Sequence, residues 1–302
     1  MSESTMPAES FGRTVIGRAP RAAARRRGGV SFAPRWTRAL KSVVVVLAAV
    51  FFLLPIAYLA MVSFMRPDDI LSDRVVPSGL SWQNWSSAFD RFPVVDYLRN
   101  SLIVAAAAMV IALLIAIPAN YAMARLRAGG KNIMTVIVSA YVAPPIVAIV
   151  PLFILVRKVG LMDSLVGLSL VEGLMVVPVA IWLLDDFFRN VPEEIDEAAQ
   201  IDGCGPIATL VRVVLPLVAP GVVAVGIVSF ILVYNDFLIP LMLSYSESTQ
   251  TLPVGISLMQ GGREVMYGQM AAASFTGMIP VYLLALFMQR WLIGGLTQGS
   301  VK

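Results

Sequence analysis

Carboxylates, and the absence of histidine, set the chemical repertoire of this 302-residue chain. Without imidazole there is no Ser/His/Asp arrangement and no ordinary zinc ligand set. The single cysteine, Cys204, excludes an intrachain disulfide and a multi-cysteine metal centre. No Gly-x-x-x-x-Gly-Lys-Ser/Thr run is present to cradle phosphates. Hydrolytic, metal and nucleotide chemistry on this chain are therefore not expected, and neither a catalytic residue nor a metal site is assigned. The carboxylates that remain fall in two settings. Glu172 and Asp236, the latter beside Tyr234 and Asn235, stand inside apolar stretches, where an ionisable group is a functional-site candidate that faces a cavity rather than lipid. Seven acidic residues crowd between 185 and 203 against the one arginine, Arg189.

The elements that must position these groups are set by composition. The chain is 58% hydrophobic and only 14% charged, with mean hydropathy +0.80, whereas soluble domains average about 45–50% and 25%. Lipid is the better solvent for such a sequence. A spanning helix needs roughly 20 apolar residues, and six stretches qualify: 43–64, 101–123, 133–156, 164–184, 218–241 and 270–293. The expected fold is an all-α integral membrane protein with six transmembrane helices, a single transmembrane domain over 41–302. Residues 1–40 form a basic arm among Ala, Gly, Pro and Ser, too poor in apolar residues to bury a core and expected to be disordered. Its arginines suit topology rather than nucleic acid, and it is too long for a cleavable signal. With the arm inside, sixteen of the 23 Lys and Arg lie on the cytoplasmic side, which puts both termini in the cytoplasm. Of the connections on the other side, residues 65–100 carry Trp82, Trp85, Phe89 and Phe92, which suit interface anchoring or docking of an external partner.

In this frame Glu172 lies roughly 12 Å inside the fourth stretch, and Asn235 and Asp236 roughly 9 Å inside the fifth, at 1.5 Å per residue. Contact with a hydroxyl-rich solute and interhelical hydrogen bonding both account for these groups. Tyr234 could stack on a sugar face or simply pack.

The loop from 185 to 217 reads differently. Asn190-Val191-Pro192-Glu193-Glu194 starts a short helix, with Pro in its first turn and carboxylates where the dipole favours them. Gly203 offers a stop. Ile195, Ala198, Ala199 and Asp202 recur at helical spacing, and the first three form a narrow apolar stripe. So short a helix is marginal alone. Lying on a membrane surface is one option, but its net charge of −6 would be repelled by anionic headgroups, which favours a protein partner.

Glu197-Ala198-Ala199, Gly203 and the run Val213-Val214-Leu215-Pro216 resemble the EAA motif of binding-protein-dependent ABC importer permeases. The chain departs from the usual pattern at Cys204 and Val213. The resemblance implies a cytoplasmic coupling helix that inserts into a cleft of the ATPase, with Glu197, Ala198, Ala199, Asp202, Gly203, Leu215 and Pro216 at that contact and Gly203 as the turn. Segments such as Ala122-Met123-Ala124-Arg125-Leu126-Arg127, Asn235-Asp236-Phe237 and Thr251-Leu252-Pro253-Val254-Gly255 are similar to the carbohydrate branch of that family. So is the tail, in which Gly295, Gly299 and Lys302 would make a second ATPase contact. The resemblance further implies a second permease, an ATPase dimer that holds ATP and Mg, an extracytoplasmic solute-binding protein, a sugar-like substrate and a bacterial inner-membrane location. A permease for another solute such as glycerol-3-phosphate, or an ion-coupled secondary transporter, are the alternatives; the latter lacks an internal repeat.

Overall fold

Small residues decide how closely these helices pack. In a computed structural model of the chain, the described residues are 35–72, 76–130, 132–142, 145–260 and 265–298, and they form helices together with one isolated antiparallel bridge between Gln260 and Val265. The chain divides at Phe52 into two units. The described part of the first, residues 35–52, is the opening half of helix α1 (Arg35–Ser63), so the helix begins inside the expected arm; residues 1–34 lie outside the description.

In the second unit, α2 (Pro67–Leu71) and α3 (Gln83–Arg91) precede the long α4 (Val94–Arg125). Next come α5 (Ile133–Val142), α6 (Pro145–Lys158) and α7 (Leu165–Arg189), the last capped by Ser164 Oγ accepting from Gly167 N–H at 3.3 Å. The chain continues through α8 (Glu193–Ile201), α9 (Pro206–Thr209), a π-helical turn (Leu210–Val214) and α10 (Leu215–Tyr234). Helices α11 (Leu238–Leu243), α12 (Leu252–Leu258) and α13 (Tyr267–Gln298) complete it.

Among the described residues, five helical segments are long and apolar enough to cross a membrane: Leu40–Ser63, Val94–Arg125, Leu165–Arg189, Pro206–Tyr234 and Tyr267–Leu286. The stretch expected at 133–156 falls instead on two shorter helices, α5 and α6, which supply a sixth crossing only if taken together as one bent span. The expected fifth span, 218–241, is also shifted. Its helix starts at Pro206 and stops at Tyr234, and a break at Asn235–Phe237 separates it from α11.

The core is built on α4 and α7. Ala105, Ala108, Ala112 and Ala116 of α4 are fully buried along one stripe. Facing them, a Cβ on Gly173 of α7 would stand 2.9 Å from Ile111 Cβ and 3.2 Å from the Ala108 carbonyl oxygen. Side chains this small let two backbones approach within a bilayer, where packing rather than the hydrophobic effect holds helices together. Helix α10 closes over the pair, Gly226 lying against Leu113 and Met109. The loop before α12 is tied down by polar contacts. Asn100 Nδ2 donates to the carbonyls of Ser248 and Gln250, both at 3.0 Å, and Leu252 N–H donates to Ser101 Oγ at 2.8 Å. Asp163 Oδ1 accepts from the Tyr245 and Ser246 N–H groups at 3.0 Å and from the Thr249 hydroxyl. Trp85 stacks with Phe64 and Phe89, whereas Trp82 meets Phe64 edge-on and stays exposed.

Candidate functional site

Helix α8 sits at the end of the bundle where α4 and α7 finish. Pro192 occupies its N-cap rather than its first turn, and Glu193, Glu194 and Asp196 fill that turn. The helix stops as the sequence suggests: Gly203 takes φ +84°. Gly203 N–H bonds to the Gln200 carbonyl at 3.0 Å and Cys204 N–H to the Ala199 carbonyl at 2.9 Å. That pair of bonds is the Schellman arrangement, which needs a left-handed residue where the glycine stands.

The expected apolar stripe does not stay available as a unit. Ile195 packs on the core and Ala199 is buried, and Asp196 turns inward with them. The reason is electrostatic as well as apolar: Arg125, the last residue of α4, ion-pairs with Asp196 (Nε to Oδ2, 2.7 Å), and both side chains are under a tenth exposed. What faces outward is a different set, comprising Glu193, Glu194, Glu197, Ala198 and Asp202 together with Ile201, 86% exposed. Past the Gly203 turn Ile207 adds a second apolar tip, 78% exposed. Neither isoleucine was singled out from sequence. Ile201 directly precedes Asp202, and Ile207 follows Gly203 by four positions, which was the available signal.

The second half of this element is not a separate short helix. Residues Pro206–Tyr234 form one helix of 29 residues that contains Leu215 and Pro216. Pro216 has no N–H for the Arg212 carbonyl and its ring crowds it. The helix accommodates this just upstream by widening into the π turn, in which Leu215 N–H reaches the Leu210 carbonyl. In the tail, Gly295 falls near the end of α13, while Gly299 and Lys302 lie outside the described residues.

The polar residues within the apolar helices converge elsewhere. Glu172 is 3% exposed and its Oε1 has no hydrogen-bond partner among the described residues. It lines a cavity of about 460 Å³ with Asn235, Asp236, Tyr141 and Met175. Asp236 adjoins the Glu172 carboxyl, and its Oδ1 accepts from Leu238 N–H at 3.0 Å, which starts α11 and fixes the break after α10. Asn235 is exposed within that break, its Nδ2 donating to the Ile231 carbonyl at 2.8 Å. Tyr234 is buried, stacks on Phe230 and donates its hydroxyl to the Gly277 carbonyl at 2.8 Å. Its ring borders a second cavity of about 370 Å³ that Asn235 also lines. No group of three or more metal-ligating side chains occurs among the described residues.

Residues 108–297, which include α8, the Gly203 turn and the Glu172 cavity, match the family model of the binding-protein-dependent transport system inner membrane component. The chain belongs to this family. Among its relatives is the sulfoquinovosyl glycerol transport system permease protein of Agrobacterium fabrum, 35% identical over 75% of this chain and 80% of that protein. The trehalose transport system permease protein of Mycobacterium tuberculosis is 32% identical over 83% of this chain and 92% of its own length. In structure, the chain is similar to a crystal structure of a bacterial ABC transporter involved in the import of the acidic polysaccharide alginate, with TM-score 0.69 and 19% identity over 85% of this chain and 96% of that one. That likeness establishes the fold. As a member of this family the chain is a multi-pass membrane protein and a transporter subunit rather than an enzyme.

Proposed function

We propose that this permease imports a carbohydrate, forming the pathway with a second, related permease and drawing its energy from partner ATPases that dock on α8. The observation that carries the reading is the α8–Gly203–α9 turn. It presents acidic and apolar tips outward, with Glu197, Ala198, Ile201 and Asp202 on α8 and its C-cap and Ile207 past the turn, on the helix Pro206–Tyr234 that runs on into a membrane span. ATP and Mg belong to the ATPases, since the sequence has no P-loop. An external binding protein delivers the solute on the far side. Both termini are cytoplasmic, α5 and α6 together make the sixth crossing, and the membrane is the bacterial inner membrane; the Lys and Arg bias supports this orientation. The tail with Gly295, Gly299 and Lys302 provides a second ATPase contact. Glu172, Asn235 and Asp236 line the solute path, with Tyr234 at its edge. Carbohydrate is supported by relatives whose names specify trehalose/maltose, diacetylchitobiose and sulfoquinovosyl glycerol.

The test is purification with the co-expressed partners. Substrate-stimulated ATP hydrolysis falls sharply in Glu197→Ala and Gly203→Asp if the reading holds. Uptake that survives ATP depletion but collapses with the ion gradient refutes it.

A further inference from the structure

Helix α8 has two mechanical exits. One runs through Gly203 into the helix Pro206–Tyr234. The other leads back toward α4 and α7, and there the covalent link is only the short turn Asn190–Pro192. Arg125 bridges that second exit. Its Nε meets Asp196 Oδ2 at 2.7 Å, in the first turn of α8, and its Nη2 donates to the Val191 carbonyl at 2.5 Å, in the turn itself. Tyr121, one turn earlier on α4, is buried beside the same carboxylate. The backbone leaves α4 immediately after Arg125: Leu126 caps the helix and Arg127 takes φ +51°. The guanidinium at the helix end therefore holds the helix by charge and the turn by a directional hydrogen bond. Apolar contacts alone are non-directional and lack that hold.

We propose that Arg125 is the positioning residue that binds α8 to the α4–α7 pair, so that displacement of α8 moves those two helices as well as α10. The proposal rests on the reading of α8 as the ATPase contact. It predicts two separable outputs: α10 follows α8 through the continuous helix, and α7 follows through Arg125.

The experiment uses the full complex with co-expressed permease and ATPases, in a Cys204→Ser background, reconstituted in liposomes. Single cysteines at Leu174 of α7 and Leu232 of α10, both lining the Glu172 cavity and both exposed, report movement by their reaction rate with a membrane-impermeant maleimide. In the parent, ATP with vanadate changes both rates, by roughly fivefold on the usual scale of intersite coupling. The double variant Arg125→Met/Asp196→Leu replaces the buried pair by apolar groups, which folds tolerate well. In it the Leu174→Cys rate loses its ATP response while the Leu232→Cys rate keeps it, with the ATPases still bound; Arg125→Lys restores part of the α7 response. A response retained at both positions overturns the proposal. So does loss at both together with loss of the ATPases, which would make the pair only a seat for the helix. Absence of any ATP effect in the parent, with ATPases bound, removes the reading of α8 itself.

Discussion

Gly203 offers the sharpest test of how the α8 turn is made. Its φ of +84° is costly for any residue with a Cβ, while a Cβ built there would meet nothing within 4 Å. A substitution thus strains the backbone without crowding a neighbour in this chain. The left-handed penalty is about 1–2 kcal/mol for an ordinary L-residue and smaller for asparagine, whose short side chain tolerates that region. Part of it is offset because the unfolded chain also loses freedom when glycine is replaced, which leaves about 1 kcal/mol for Gly203→Ala. Transferred to the docking equilibrium, that is roughly a fivefold loss of ATPase affinity. The assay is titration of purified ATPase onto liposome-embedded permease pairs. Affinity should rank Gly above Asn above Ala, with Val weakest, since β-branching adds to the strain. Asparagine is larger than alanine. If Gly203→Asn binds more weakly than Gly203→Ala, side-chain bulk at the partner surface governs the position and the backbone argument fails.

Two further outcomes follow from contacts described above. Gly173→Ala places its Cβ 2.9 Å from Ile111, and overpacking less the helix-propensity gain lowers stability by about 1–2 kcal/mol. Thermal unfolding in detergent should show this, whereas Gly205→Ala, with open space around it, should not; an unchanged midpoint for Gly173→Ala contradicts the close approach of α4 and α7. Burial pushes the Asp163 carboxyl up, but the hydrogen bonds from Thr249, Ser246 and Tyr245 outweigh it and hold it below its ordinary value of 3.8. A carboxylate favoured in this way stabilises the fold at pH above that value, and the contribution disappears as pH falls through the lower folded value. Asp163→Ala therefore lowers the unfolding midpoint at neutral pH, and its difference from the parent shrinks below about pH 4; a pH-independent difference refutes that origin.

Much of this architecture was legible in the chain because the signals are local. The apolar runs of α4 and α7, the start of α8 beside Pro192 and its end at Gly203 all rest on residues within one turn of the boundary. The misplacements have physical causes that local pattern does not carry. Hydropathy cannot distinguish one straight span from α5 and α6, because both are strongly apolar. The fifth span was expected from 218, yet a π turn absorbs the missing donor of Pro216 and the helix runs through from Pro206. Asp236 looked like a residue within a span, but its carboxylate captures Leu238 N–H and breaks the helix there. The inward turn of Asp196 depends on Arg125, 71 positions away, and nothing in the pattern of α8 announces that partner. Of the candidate residues, Glu172, Asn235 and Asp236 do converge on one cavity, whereas Ala198 and Ala199 part company, one outside and one in.

The unbroken helix from Pro206 to Tyr234 has a geometric consequence. At 1.5 Å per residue its 29 residues make a rod about 43 Å long. Pivoted near one end, such a rod amplifies angle into distance: a tilt of about 5° sweeps the far end through about 4 Å, roughly the width of a water molecule plus its contact gap. The small gear sits at Ile207, and the long arm ends where Asn235 and Asp236 begin.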